Sequence, residues 1–195
     1  MYNLIYLTGA PASGKSSLSS EIRKEREDKV VVFEYGKELT KYLKEKGAVI
    51  EGQTELRQKS SAIVTKDDIY ALDNLLLDFA NCQRSSRHVI VDSHAVTKEI
   101  YGYRILPFSV EQMKILNPSK IVVLYAESDV VIRRISSNSQ GRPSISPFEA
   151  DMHTFLQASV AINYSMLLHV PIYYFDSSLP LEEIKIHFLR LLDLF

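Results

Sequence analysis

An α/β fold, with a five-stranded parallel sheet and helices on both of its faces, is predicted for this chain of 195 residues by three observations. Five short apolar runs lie along it, at Leu4-Ile5-Tyr6-Leu7, Val30-Val31-Val32-Phe33, His88-Val89-Ile90-Val91, Ile121-Val122-Val123-Leu124-Tyr125 and Pro171-Ile172-Tyr173-Tyr174-Phe175. Segments of helical spacing separate them, and strands covered on both faces by crossover helices read as continuous apolar runs rather than alternating ones. No linker, internal repeat or low-complexity tract divides the chain, so residues 1–195 are read as one domain, long enough for a core that needs no staple.

Hydrophobic residues make up 46% of the chain and charged residues 24%, with a formal net charge of −1. That balance is ordinary for a globular chain, and without a basic excess neither nucleic acid nor an acidic membrane surface is an expected partner. No apolar run approaches a membrane span. Small molecules are the expected partners. The first strand follows Met1 so closely that no signal peptide fits, and the single Cys82 can form no internal disulfide, so a cytoplasmic location is expected. Cys82 follows the apolar segment 75–80 and is read as a helix packing residue rather than a nucleophile.

The elements follow in order. A helix begins near Ser16 and ends in the solvated charge run 23–29. Tyr35-Gly36 ends the second strand, and residues 37–46 form a short helix closed by Gly47, with Leu39 and Leu43 on one face. Gly52 and Gln53 open another helical piece, and Thr65-Lys66-Asp67-Asp68 resembles a capping box ahead of a core stripe at Ile69, Leu72, Leu76 and Phe79. Residues 93–107, which include His94, Gly102, Tyr103 and Arg104, show no period and are read as a functional loop. Ser109 opens a capping box with Gln112, and Ser128 is read as the cap of a helix through Val131, Ile132 and Ile135. Residues 138–144 are rich in turn formers, and Ser146-Pro147-Phe148-Glu149 then combines an N-cap, a first-turn Pro and a capping-box Glu. The helix that follows places Phe148, Met152, Phe155, Ser159, Ile162 and Met166 on one stripe, read as core packing, and the last helix aligns Leu181, Ile184, Phe188, Leu191 and Phe195.

Between the first strand and the first helix, Gly9-Ala10-Pro11-Ala12-Ser13-Gly14-Lys15-Ser16 fits the pattern G-x-x-x-x-G-K-[ST] without a gap. The glycines let the backbone turn tightly, and successive N–H groups at a helix N-terminus form a concave anion site. In such a loop Lys15 reaches the β- and γ-phosphates of ATP and the Ser16 hydroxyl sits on Mg²⁺, with Ser17 beside them. A Gly-rich turn that matches by chance is the alternative, weakened by the strand and helix on either side. The fold class is therefore that of the P-loop NTPases. Asp92 closes the third strand, and in open parallel sheets ligands lie beyond the carboxyl ends of the strands, so it can hold Mg²⁺ across from the loop; as a turn former it would only cap the next segment. Arg57, Arg104, Arg133, Arg134 and Arg142 fall where the strands deliver ligands, in a fold whose phosphoryl transfer depends on placed positive charge, although any one of them can be a solvated surface residue.

Over nearly its full length the chain resembles the archaeal-type adenylate kinases among the nucleoside monophosphate kinases. The phosphate loop carries the likeness, with Tyr35-Gly36, Glu55-Leu56-Arg57, Val91-Asp92-Ser93-His94, Gly102-Tyr103, Pro107, Ile132-Arg133-Arg134 and His153 in the family's order. The resemblance implies transfer of the γ-phosphoryl of Mg-ATP to AMP, giving two ADP, with monophosphate-binding helices at about residues 36–84 and a short lid at about 138–146. It implies Tyr35, Gly36, Arg57 and Arg104 as acceptor-binding, Arg134 against the ATP adenine, and Lys15, Asp92 and Arg142 as catalytic, Arg142 reaching the phosphates as the lid closes over them and excludes water. It also implies a homo-oligomer. The chain departs from the family at Ala12, where glycine is usual and alanine fits if its φ is negative, and in a shortened Gly102–Pro107 signature. Its lid carries less charge, and Gln157-Ala158 stands in place of an Asn-Arg pair, which removes a phosphate-side arginine. A P-loop kinase for another nucleotide or small metabolite is the alternative reading. A non-catalytic ATP-binding protein is a second.

Overall fold

The computed structural model describes residues 2–99 and 101–194. Five strands, β1 (Leu4–Gly9), β2 (Val30–Glu34), β3 (His88–Asp92), β6 (Lys120–Tyr125) and β7 (Ile172–Asp176), form one parallel sheet in the order β2-β3-β1-β6-β7. Among the described residues there are eight helices: α1 (Lys15–Glu25), α2 (Tyr35–Glu45), α3 (Gln53–Ile63), α4 (Lys66–Gln83), α5 (Val110–Leu116), α6 (Ser128–Ser137), α7 (Pro147–Leu168) and α8 (Leu181–Leu191). Among the described residues no helix is long and apolar enough to cross a membrane.

The period of two along a strand divides the core. Leu4 and Tyr6 of β1, with Val89, Val91, Ile121 and Val123, meet Leu72 and Leu76 of α4, Met113 of α5 and Ala161 and Tyr164 of α7. Ile5 and Leu7, with Ile90 and Val122, meet Leu18 and Ile22 of α1 and Ile184 and Phe188 of α8. Each such buried aliphatic side chain stabilises the fold by about 1.5–3 kcal/mol. Capping boxes start α4, α5 and α7 at Thr65, Ser109 and Ser146, as their sequences predict.

Several expectations are corrected. Residues 93–107 are not structureless: Val96–Glu99 (β4) and Gly102–Ile105 (β5) pair antiparallel as a hairpin outside the main sheet. Tyr35 and Gly36 do not close β2 as a turn but begin α2. Ser128 is the first residue of α6, whose cap position is Glu127, without a side-chain cap bond. Cys82 does not pack: Leu72, Leu76 and Ala80 form the buried face of α4, and Cys82, two residues past Ala80, points away from it and is exposed.

The largest difference is in α7. Its buried face is Ala150, His153, Gln157, Ala161 and Tyr164, while Phe148, Phe155, Ser159, Ile162 and Met166 are exposed and Met152 is half-buried. The polar side chains go inward because each finds a partner there. The predicted stripe of α8 is buried at Ile184 and Phe188, and its Phe195 lies outside the described residues.

Candidate phosphate-binding cleft

At the carboxyl edge of the sheet the loop from β1 to α1 faces Glu34 at the end of β2 and Asp92 at the end of β3, which stand side by side in the parallel register. Gly9 admits no side chain: a Cβ there would sit 2.3 Å from the Leu124 carbonyl oxygen. Gly14 holds the N-cap position of α1 at φ 89°, and neither a side-chain cap nor an acidic residue occupies the first turn, so those N–H groups are left to a ligand. Ala12 adopts φ 63°, a left-handed conformation, which overturns the expectation of a negative φ at this departure from glycine.

Lys15 is buried and folds back over its own loop, donating from Nζ to Gly9 O at 2.7 Å and Ala10 O at 3.1 Å. Burial lowers its pKa to about 8; Asp92 opposes this, and the charges of Arg142 and Arg57 add to it. The Ser16 hydroxyl donates to Asp92 Oδ2 at 3.3 Å. Burial raises the Asp92 pKa; Lys15 pulls it down and Glu34 pushes it further up. Glu34 is itself buried, 2.6 Å from Lys37 Nζ and 3.7 Å from Arg23.

These groups open onto a cleft of about 640 Å³, lined on the loop side by residues 11–17 and on the far side by Gly36, Arg57 and Arg142. That size suits a nucleotide or small metabolite. Arg57 on α3 donates to the carbonyl and side-chain oxygens of Gln140 at 3.1 and 3.3 Å, and Arg142 donates to the same side-chain oxygen at 3.3 Å. Gly141 fits between them because it has no Cβ, which would lie 2.6 Å from the Thr54 carbonyl oxygen of α3. Neither arginine has a carboxylate partner among the described residues. Burial, then the neighbouring Arg57, lowers the Arg142 pKa to about 10.

Arg134 also lines the cleft. It clamps the outer side of the loop, donating to Ala12 O at 3.1 Å and to Ser177 O at 2.6 Å. Gly9 and Ala10 do not line the cleft; their carbonyls hold Lys15. Two predicted acceptor residues are not brought to the cleft. The Tyr35 hydroxyl donates to Asp73 at 2.7 Å and its ring packs on Phe33 and Phe108. Arg104, on β5, pairs with Glu99 at 2.6 Å and donates to Ser60, so its charge is answered within the hairpin. Arg133 is exposed on α6.

Two groups on the cleft wall, Glu34 and Lys98, were not singled out by the sequence, whereas His94, His153 and Gln157 were. Glu34 ends a strand as Asp92 does, and the rule that found Asp92 applies to it equally. Lys98 of β4 lines the wall and pairs with Glu149 at 3.0 Å. His94 lines the cleft, where its surroundings and then the charges of Lys15, His153, Arg57 and Arg142 lower its pKa. Gln157 accepts from the Ala95 and Val96 N–H groups at 3.1 and 3.0 Å, and His153 bonds Val96 O at 3.0 Å.

Residues 8–149 match the AAA domain family. No curated protein matches the sequence. Solved structures share the fold at low identity. An unliganded sugar kinase from Janibacter sp. is 12% identical with a TM-score of 0.57, over 100% of this chain and 96% of that one. Shikimate kinase from Acinetobacter baumannii in complex with shikimate is 13% identical with a TM-score of 0.57, over 98% and 93%. The YorR protein of Bacillus subtilis, in complex with phosphorylated GDP, is 20% identical with a TM-score of 0.58, over 98% and 96%. The fold is that of P-loop kinases.

Proposed function

The chain belongs to the AAA domain family, and from that and from its cleft we propose that it is a phosphotransferase carrying the γ-phosphoryl of ATP to a small anionic acceptor, with AMP the acceptor that the sequence resemblance favours. The observation behind this is the pair Arg57 and Arg142, two arginines without carboxylate partners among the described residues, meeting at Gln140 across the cleft from Lys15. A hydrolase acting on ATP needs only one anion site. A second one, supplied by α3 and the 138–146 segment, suits an acceptor that carries its own charge.

Mg²⁺ commonly takes one or two carboxylates, with phosphate oxygens and waters completing its shell. Ser16 and Asp92, 3.3 Å apart at the loop, fit that requirement, and no three-residue His, Cys, Asp or Glu cluster among the described residues competes for the ion. When bound, the ion supplies neutralising charge at the phosphate oxygens. Lys15 exchanges the neutral carbonyls of Gly9 and Ala10 for phosphate oxygens. Arg134 keeps the loop's outer wall in place. Arg57 and Arg142 orient the acceptor, and the 138–146 segment lying against α3 limits the access of water, which would otherwise accept the phosphoryl group.

A second reading, a kinase for a hydroxylated metabolite, is favoured by Glu34. A phosphate acceptor arrives already anionic and needs no base, whereas a hydroxyl must lose a proton to a group such as a carboxylate at the cleft wall. Purified protein with Mg-ATP and a panel of monophosphates and hydroxy acids, each compared with Lys15→Ala, tests both readings. ADP formation that requires AMP and is lost in the variant is the expected result. ATP consumption that is equal without any acceptor overturns the phosphotransferase reading.

A further inference from the structure

The stripe that α7 turns to solvent is built like an interface. Phe148, Phe155 and Met166 are about two-thirds exposed, at 70%, 68% and 69%, and Ile162 is 42% exposed. No Lys or Arg occurs anywhere in the helix, its two acids Glu149 and Asp151 lie near its start, and residues 154–168 contain no charge. A solvated helix face ordinarily carries charge. The inward face of the same helix is the more polar one.

The spacing of the stripe identifies its occupant. Phe148, Met152, Phe155, Ser159, Ile162 and Met166 follow one another at intervals of four, three, four, three and four, the a/d repeat of a coiled-coil seam over nearly the whole helix. Read backwards, the intervals are the same, so a two-fold axis across the helix maps the stripe onto itself, as an isologous interface requires. We propose that α7 pairs antiparallel with α7 of a second copy of this chain. Phe148 then meets Met166 of the second copy, Met152 meets Ile162, and Phe155 lies over Ser159, the one short side chain, which lets the helices approach beside the larger ring. The charges favour the same direction. Antiparallel pairing places Glu149 and Asp151 beside the uncharged C-terminal half of the other helix, whereas parallel pairing sets four acids together.

A phenylalanine presents about 150–250 Å², so two of them with Ile162 and Met166 from each copy bring the buried total toward the roughly 1,000 Å² that a specific interface needs. His153, which lines the cleft, lies on the opposite face of α7, so both clefts stay open in the pair.

Sedimentation velocity of the full chain at roughly 1–100 µM is the test, since association follows concentration. The expected result is a species of twice the chain mass. Phe155→Asp and Ile162→Asp should each return it to monomer with unchanged circular dichroism, whereas Val49→Asp, at a 98% exposed site in the α2–α3 connection, should not. In a Cys82→Ser background, Phe155→Cys mixed with Ser159→Cys should crosslink on oxidation more readily than either alone. A wild-type monomer throughout, a dimer that survives both aspartates, or preferential self-crosslinking of Phe155→Cys would each overturn the proposal. Should an aspartate variant fail to fold, the crosslink decides, and its absence counts against the seam. None of these readouts depends on catalysis.

Discussion

Thr8 at the end of β1 and Gln157 in the middle of α7, both fully buried, are joined by a 2.8 Å hydrogen bond from Gln157 Nε2 to Thr8 Oγ1. The oxygen of the same amide accepts the N–H groups of Ala95 and Val96, so one side chain fixes the strand leading into the phosphate loop to the segment that follows Asp92. Where the resemblance leads one to look for an Asn-Arg pair, whose arginine would face the phosphates, this chain has Gln157-Ala158, with a neutral brace at Gln157.

Gln157→Leu should therefore destabilise the protein by about 2–4 kcal/mol, because it strands two buried backbone donors and a hydroxyl, each costing about 1–3 kcal/mol less whatever water recovers. Thr8→Val should cost less, about 1–3 kcal/mol, since it strands the single buried donor Gln157 Nε2. Urea unfolding midpoints measure both. Equal small losses would mean that the amide packs without bracing.

Ala12 holds a conformation that costs an L-residue about 1–2 kcal/mol. Ala12→Gly removes this strain but gives the unfolded chain about 0.4–1 kcal/mol of extra freedom. The net expectation is a gain of about 0.5–1 kcal/mol, which raises the melting temperature by about 1–4 °C for a chain of this size. A lower melting temperature in differential scanning calorimetry would show that the alanine methyl contributes packing that outweighs the strain.

The five strands of the sheet were legible because their apolar runs are uninterrupted, although only the central β1, β3 and β6 are largely buried while β2 and the edge strand β7 are partly exposed. β4 and β5 were not. Val96-Thr97-Lys98-Glu99 and Gly102-Tyr103-Arg104-Ile105 mix charges with apolar residues because the hairpin lies outside the sheet and is only partly buried. That hairpin also decides the fate of Arg104, since only tertiary geometry brings it to Glu99 rather than to the cleft. In α7, periodicity located a stripe but not its direction. His153 and Gln157 can face inward because particular backbone groups of the 95–96 segment await them, and no pattern within the helix reveals those partners. The phosphate loop and Asp92 could be placed in advance because strand order alone positions them.

The Lys15 ammonium carries a pKa lowered to about 8, because burial strips it of water and Arg142 and Arg57 lie nearby, with Asp92 only partly compensating. Its ordinary value is about 10.4, so the protonated lysine destabilises the empty fold below pH 8 and that cost fades as pH rises toward 10. A bound polyphosphate acts in the opposite direction and restores the proton. At pH 8.5, ATP binding should therefore take up about 0.7 proton, and almost none at pH 6.5 from this group, as read by calorimetry in buffers of different ionisation enthalpy. Lys15→Arg should abolish the uptake at pH 8.5. Binding without uptake in the wild type would show that Lys15 is already fully charged in the empty loop.

Arg57 and Arg104 stood together as acceptor ligands on the sequence resemblance, and their surroundings now separate them. Arg57 lines the cleft, is bonded to Gln140 oxygens among the described residues and lies near Arg142, so its removal takes away one of the two charges that have no carboxylate partner there. Arg104 is neutralised by Glu99 at 2.6 Å. Arg57→Ala should raise the acceptor KM by about tenfold or more, consistent with a lost charge-assisted bond of about 1.5–3 kcal/mol, while the ATP KM moves less than about threefold. Arg104→Ala should leave the acceptor KM within about threefold and show its effect mainly as lower stability of the hairpin. Steady-state kinetics with each substrate varied in turn separates the outcomes. If the two variants prove equally impaired toward the acceptor, Arg104 must leave Glu99 when substrate binds. If Arg57→Ala instead weakens ATP and acceptor alike, the second anion site serves the donor and the division of the cleft drawn here is wrong.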